Sequence, residues 1–335
     1  MVERSSFFRS QRPREVKKPG MNNGEPVRVG VVGVGYVGQH HARIYSELSG
    51  VELVGICDID ESRLKELGAR HPIRLCRDYH DLLGGVDAVS VAVPTRLHYP
   101  IARKFLECGI DVLVEKPIAQ SLTQADELVE IAKADDRIFQ VGHIERFNGA
   151  VKALEAIVKN PGFIECHRLG PFAARNTDVD VVLDLMIHDI DIILNLIHSP
   201  VTAVSAVGVP VISDQVDIAN ARLQFESGCV ANLTASRVSV ERVRRIRIFQ
   251  RDTFISLDYA QQEIAVYHRI PGEGDAAPGT TPKIVKEDIF IDKAEPLRIE
   301  LESFIECVRS RKRPLVSGEE GRDALKVASQ IVERL

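Results

Sequence analysis

From Val27 onward, short apolar runs alternate with segments that carry apolar residues at helical spacing, the signature of parallel strands joined by helical crossovers. The runs Val27–Gly33, Val51–Cys57, Asp87–Val93, Asp111–Val114 and Ile138–Val141 predict strands. Their near-continuous Val, Ile and Leu content suits a sheet covered on both faces. Helices are expected over Tyr36–Leu48, Glu61–Arg70, Arg96–Cys108 and Thr123–Ala134.

After about Gly142 the pattern changes. A helix at Phe147–Val158, a strand at Phe163–Arg168 and an apolar helix at Asp184–Ile197 lead into consecutive strands: Val201–Val209, Asp217–Phe225, Cys229–Ser236, Val243–Phe249, Thr253–Leu257 and Glu263–His268. Short turns such as Glu226–Ser227–Gly228 separate them, which predicts hairpins in an antiparallel sheet. Alternation in Asn220–Phe225 and Ala231–Val238 gives that sheet one core face and one polar or partner-facing face. Pro271–Pro282 reads as a loop, and helices at Leu297–Arg309 and Gly318–Glu333 follow. The fold class is therefore α/β: an N-terminal Rossmann doubly wound parallel sheet over 25–145, then an α+β domain with a mostly antiparallel open sheet over 146–335.

Composition narrows the function. The 335 residues are 44% hydrophobic and 27% charged, an ordinary globular mixture. A net charge of -5 argues against a sequence-independent grip on nucleic acid. No apolar run reaches the length of a membrane span. The six cysteines form no CxxC pair and read as buried thiols in a reducing cytoplasm. Residues 1–24, basic and rich in Ser, Pro and Gly, read as a disordered extension, and Met21 is a second candidate start.

Gly33, Gly35 and Gly38 make G-x-G-x-x-G between a strand and a helix. The first glycine permits a tight turn, the second lets the backbone approach a pyrophosphate, and the third lets the helix pack on the strand. Together with Tyr36 and Val37 they form the expected phosphate turn, with the anion at the helix N-terminus. Asp58, twenty residues after Gly38, can accept from both ribose hydroxyls and would repel a 2′-phosphate, so NAD is the expected cofactor. The alternative for Asp58 is a helix-capping turn residue.

The run Val93–Pro94–Thr95–Arg96–Leu97–His98, the Glu115–Lys116–Pro117 strand end and the segment Leu183–Asp184–Leu185–Met186–Ile187–His188–Asp189–Ile190–Asp191 follow the glycine turn in order. In this combination the chain resembles the Gfo/Idh/MocA oxidoreductase family from Val27 to its C-terminus. The resemblance implies cofactor contacts from Pro94, Thr95, His98, Glu115 and Lys116, a cis peptide at Pro117, and a homodimer or homotetramer built on the C-terminal sheet. It also implies catalysis by Lys116 with an Asp184–His188 pair.

The residues carry that chemistry on their own terms. Lys116 leaves the carboxyl end of a strand, where ligands of open α/β sheets bind, and can stabilise negative charge on a reacting hydroxyl. Asp184 and His188 share a helix face at i, i+4, and Asp191 and Asn195 extend the stripe. His188 can take a proton near neutral pH while Asp184 fixes its tautomer. The blander readings are a solvated lysine, a capping aspartate and a core histidine. His143, His167 and His188 lack metal-ligand spacing, so no metal is expected.

Arg146 and Asn148, at the domain junction, are candidate substrate groups, with Arg175, Asn176 and Arg237 as weaker ones; Arg146 can equally ion-pair across the domains. Within the family the junction and helix motifs resemble the branch of nucleotide-sugar 3-dehydrogenases. That likeness implies oxidation of the C3 hydroxyl of a UDP-N-acetylhexosamine, on the way to aminosugars of lipid A. A dehydrogenase of free sugars or inositol, or a non-catalytic NAD-binding regulator, remains open.

Overall fold

A computed structural model describes residues 24–69, 73–172, 179–270, 283–291 and 293–335. The segment 271–282, the residues before Gly24, and Arg175 and Asn176 lie outside the described residues.

The N-terminal half forms a six-stranded, wholly parallel sheet: β1 (Val27–Val32), β2 (Val51–Cys57), β3 (Arg74–Cys76), β4 (Ala88–Val91), β5 (Asp111–Glu115) and β6 (Phe139–Gly142). Their spatial order is β3-β2-β1-β4-β5-β6, so the chain reverses direction across the sheet between β1 and β4, and ligand crevices form beyond the strand ends at such a point. Successive residues face opposite layers. Val112 and Val114 pack with α3 (His98–Glu107) and α4 (Leu122–Ala134), while Leu113 packs in the layer of α1 (Gly38–Glu47) and α2 (Glu61–Gly68). β3 was not expected: three residues with only Cys76 buried give too short a pattern to read.

The second half builds an eight-stranded sheet of β7 (Phe163–Leu169), β8 (Val201–Val209), β9 (Ile218–Phe225), β10 (Val230–Ser236), β11 (Val243–Gln250), β12 (Thr253–Asp258), β13 (Glu263–Ile270) and β14 (Lys283–Ile289). Its order is β14-β13-β12-β11-β7-β10-β9-β8; all neighbours are antiparallel except β7 and β10. One face packs on α5 (Gly149–Ile157), α6 (Ile187–Ile197) and α8 (Gly318–Val332). The other carries cross-strand polar pairs such as Asn220–Thr234 and Arg247–Glu165 and the stacked rings of Phe249, Phe254 and Tyr267. β14, an edge strand full of Lys, Glu and Asp, was also unforeseen, because charge placed to protect an edge erases the alternation.

After the second sheet the chain returns to the first. α7 (Pro296–Ser310) lays Leu297, Leu301, Phe304, Ile305 and Val308 into the core shared by β1 and α1. α8 then bridges both halves: Leu325 joins the first sheet's core, and Ala324, Ala328 and Ile331 the second's. Gly321 permits this, since a Cβ there would stand 2.5 Å from Val141.

Phe304 is wholly buried in the α7 contact. Phe304→Ala is expected to cost about 3–5 kcal/mol, read as a lowered urea midpoint at unchanged slope.

Candidate active site

At the end of β1 the chain turns through Gly33, at φ +85°, into α1. A Cβ on Gly33 would lie 2.6 Å from the Ala92 carbonyl oxygen, and one on Gly38 only 1.8 Å from the Gly33 carbonyl oxygen. Both places are closed to any larger residue. At Gly35 the added carbon meets only Arg63 Nη1, at 3.4 Å, so the backbone there faces open space. Tyr36 and Val37 expose their side chains beside it. α1 starts without a side-chain cap and without an acid in its first turn, which leaves its positive end for an external anion.

Asp58 stands across this turn. Its Oδ2 accepts from the Val34 amide at 2.8 Å and its Oδ1 from the Asp60 amide at 2.9 Å. The carboxylate ties the turn together, and each oxygen keeps a lone pair for a ribose hydroxyl. Asp60, not Asp58, caps α2. Arg63, beside Gly35 and 3.3 Å from Asp60, was missed, because in sequence it reads as the solvated face of α2.

Pro94 and Thr95 open a short 3-10 turn after β4. His98, expected against the cofactor, is corrected: it is buried, with Nδ1 2.8 Å from the Pro117 carbonyl and Nε2 2.8 Å from the Val93 carbonyl. It clamps the loops after β4 and β5 to each other. Glu115 likewise turns inward, its Oε1 3.3 Å from His41 Nε2. Burial alone would raise the Glu115 carboxyl, but His41 and Lys116 hold it below the usual range.

Lys116, followed by the cis peptide to Pro117, reaches across to the second half. Its Nζ donates to the Asp184 carbonyl oxygen at 2.7 Å and lies 3.4 Å from Asp184 Oδ1. Asp184 sits in a π-helical turn, Val182–Met186, that leads into α6, and such widened turns recur at functional sites. Asp180, whose Oδ1 accepts from the Val182 and Leu183 amides, fills the capping role that was the alternative for Asp184.

His188 follows on the first turn of α6. Its Nδ1 is buried without a partner while the residue as a whole is only partly buried, which leaves Nε2 as the nitrogen not sealed in the interior. His143 meets it edge-on, ring centroids 6.3 Å apart. Burial first, then the positive charge of Lys116, pushes the His188 imidazole well below its ordinary value, so it is neutral at physiological pH. Burial, with Lys116 and Arg146, likewise pushes His143 down to about 3.

Salt bridges that sequence did not reveal hold α6 in place. Arg168 from β7 grips Asp189 through Nε and Nη2 at 3.0 and 2.9 Å, donates to Glu145 at 2.9 Å, and lies over the Tyr259 ring. Only the extra carboxylate beside His188 hinted at this.

The expectation that Arg146, Asn148 and Arg237 meet substrate is corrected. Arg146 is buried, donates to Asn195 at 2.6 Å and lies 3.5 Å from Asp191, an ion pair to α6 within the second domain as bounded above. Asn148 caps α5 and donates to the Tyr259 carbonyl. Arg237 is buried against Asp217 at 2.8 Å and donates to the Val179 carbonyl at 2.7 Å. Each of the three is engaged by the fold, although Nε of Arg146 stays buried without a partner. Cys108 is exposed, against the expectation of buried thiols.

Among the described residues, buried polar atoms without partners gather here. Besides Tyr259 and Gln262, they belong to His41, Gln140, His143, Arg146, His188, Asp191 and Glu300. Burial pushes the Asp191 carboxyl up to about 7 against the pull of Arg146, and raises Glu300 well above its usual range. No group of three or more His, Cys, Asp or Glu that could hold a metal ion occurs among the described residues, and no described helix is long and apolar enough to cross a membrane.

A glycine turn cleared for an anion, on the same sheet as a lysine that meets an Asp–His helix of the other half, defines a dinucleotide-dependent oxidoreductase. The comparisons with known proteins agree. Residues 27–143 match the model of the GFO/IDH/MocA oxidoreductase family with its NAD-binding Rossmann fold, and residues 147–253 match the GFO/IDH/MocA C-terminal domain. The chain is 36% identical over 306 residues to UDP-N-acetylglucosamine 3-dehydrogenase of Acidithiobacillus ferrooxidans, covering 91% of this chain and 96% of that one. A solved structure of that enzyme superposes with a TM-score of 0.85 at 34% identity, over 92% of this chain and 97% of the other. Myo-inositol 2-dehydrogenase of Thermotoga maritima is 28% identical, over 89% of this chain and 93% of its own length. The chain belongs to the Gfo/Idh/MocA family, and it is an NAD-binding oxidoreductase.

The depressed His143 has a consequence for acid stability. Unfolded, it takes up a proton near its ordinary 6.5; folded, only near 3, so its contribution is complete above pH 6.5 and is lost as pH falls from there toward about 3. His143→Phe removes that proton uptake. Its thermal midpoint should therefore fall less steeply than the parent's between pH 6.5 and 4, as scanning calorimetry would show; parallel slopes would refute the assignment.

Proposed function

We propose that the protein oxidises the C3 hydroxyl of a UDP-N-acetylhexosamine, UDP-N-acetylglucosamine in the first instance, with NAD as acceptor. The observation that carries this reading is Lys116 Nζ held by Asp184 at the mouth of the parallel sheet, with His188 one turn further along the helix. Extensive likeness to a UDP-N-acetylglucosamine 3-dehydrogenase supports the substrate class. On this reading the product is a 3-keto nucleotide sugar, formed in the cytoplasm for aminosugars of the lipid A type. The uncovered face of the eight-stranded sheet joins copies of the chain into a dimer or tetramer.

When bound, NAD would supply a hydride acceptor for the carbon that carries the hydroxyl. Gly33, Gly35, Gly38 and the start of α1 would hold its pyrophosphate and Asp58 its ribose, with Pro94 and Thr95 beside it. The remaining work belongs to two side chains. An ammonium has three donors, and two directions of Lys116 are taken by Asp184, so one is left for the substrate oxygen. That hydrogen bond strengthens as negative charge gathers on the oxygen. His188, kept neutral, takes the hydroxyl proton at Nε2. Asp184 thus serves by orienting Lys116, a different role from the tautomer-fixing one expected for it.

Purified protein given NAD and UDP-N-acetylglucosamine, with an aminotransferase to remove the ketone, should form NADH. Lys116→Ala and His188→Ala should each lower kcat by about 10²- to 10⁴-fold while NAD affinity is kept. Turnover of inositols or free sugars with none on UDP-sugars would overturn the substrate assignment. Retention of full activity by His188→Ala would overturn its role as base.

A further inference from the structure

The second sheet sets two arginines directly opposite each other. Arg244 on β11 is the cross-strand partner of Arg168 on β7 in an antiparallel pair, and such partners project from the same face. Arg168 is buried on the face that carries α6, so Arg244 leaves the sheet on that side too, at its solvent-exposed end. Their fates differ. Arg168 is answered by Asp189 and Glu145, whereas Arg244 has no hydrogen-bond or ion-pair partner among the described residues. Only its backbone is tied, the carbonyl accepting from the Tyr259 amide at 2.9 Å. Like charges placed opposite each other weaken a sheet, so this unanswered guanidinium is a cost the fold itself does not explain. It stands near the reacting groups, close enough that its charge acts on His188 together with those of Lys116 and Arg168.

We propose that Arg244 binds the diphosphate of the nucleotide-sugar substrate and so selects charged sugars over neutral ones. The proposal rests on the UDP-sugar reading above. Between C3 and the first phosphorus of such a molecule lie only C2, C1 and the glycosidic oxygen. A C3 hydroxyl seated at His188 therefore brings the diphosphate into the immediate neighbourhood of that histidine. Of the arginines expected from sequence for substrate, Arg146 and Arg237 are enclosed in ion pairs of the fold, and Arg175 lies outside the described residues. The glycine turn that serves the pyrophosphate of NAD belongs to the other domain. Arg244 offers a planar fork suited to phosphate oxygens, from a strand whose backbone is fixed at that point.

Arg244→Gln and Arg244→Lys test this in the full-length protein, with UDP-N-acetylglucosamine as substrate and UDP as a binding probe in titration calorimetry. For Arg244→Gln the KM of the nucleotide sugar and the Kd of UDP should rise about 10- to 100-fold. The kcat and the Kd of NAD should stay close to the parent's, with a thermal midpoint no lower than the parent's, and Arg244→Lys should recover part of the loss. A parent that oxidises the nucleotide sugar and an Arg244→Gln variant with the same KM and UDP affinity would overturn the assignment of Arg244 alone. A parent that neither binds UDP nor oxidises a UDP-sugar would overturn the substrate class itself, and this proposal with it.

Discussion

The contact between Lys116 and Asp184 is the constraint on which the site depends. It joins the carboxyl end of a parallel strand in one half of the chain to a widened helical turn in the other. A partly buried charge-assisted hydrogen bond contributes on the order of 1.5–3 kcal/mol, enough to hold a long side chain in one pose. Its value is geometric. The lysine keeps this pose only while the second half is in place, so the geometry of the candidate site and the packing of the two halves form one condition. Arg168 on Asp189 and Arg146 on Asp191 and Asn195 fix the same helix from two further sides.

Around that contact the protein tolerates an unusual interior. Ionisable groups seldom go under without partners, because the lost hydration costs several kcal/mol. Here they resolve the conflict by changing charge state. His143 and His188 give up protons, and Glu300 keeps one. The result is a low-dielectric pocket wall in which Lys116 is the strongest local field, the condition under which a single ammonium has most effect on an oxygen acquiring charge.

Much of this was legible in the residues. The glycine turn, Asp58, Lys116 and His188 announced themselves because each needs a particular residue type at a particular place on a strand or helix. The strands buried on two faces were equally plain. What escaped was set by partners distant in the chain. Arg146, Asn148 and Arg237 look like ligand groups in isolation, and only the fold reveals Asp191, Tyr259 and Asp217 waiting for them. His98 belonged to a motif associated with the cofactor, yet it works as a clamp between two loops. The π-helical turn also lies beyond periodicity, since one widened turn hardly disturbs an apolar helix pattern.

The return of α7 to the first sheet bears on how the molecule comes into being on the ribosome. β1 is among the earliest parts of the domain to emerge, yet the layer that seals it, from Leu297 to Val308, is made only after the whole second sheet. Domains usually complete themselves in the order of their synthesis. This one cannot: its nucleotide half waits with an apolar flank open until the whole second sheet has been made. The second half is thus, topologically, a long insertion within the first, and closure of the outer layer acts as a seal that can be set only once that insertion is in place.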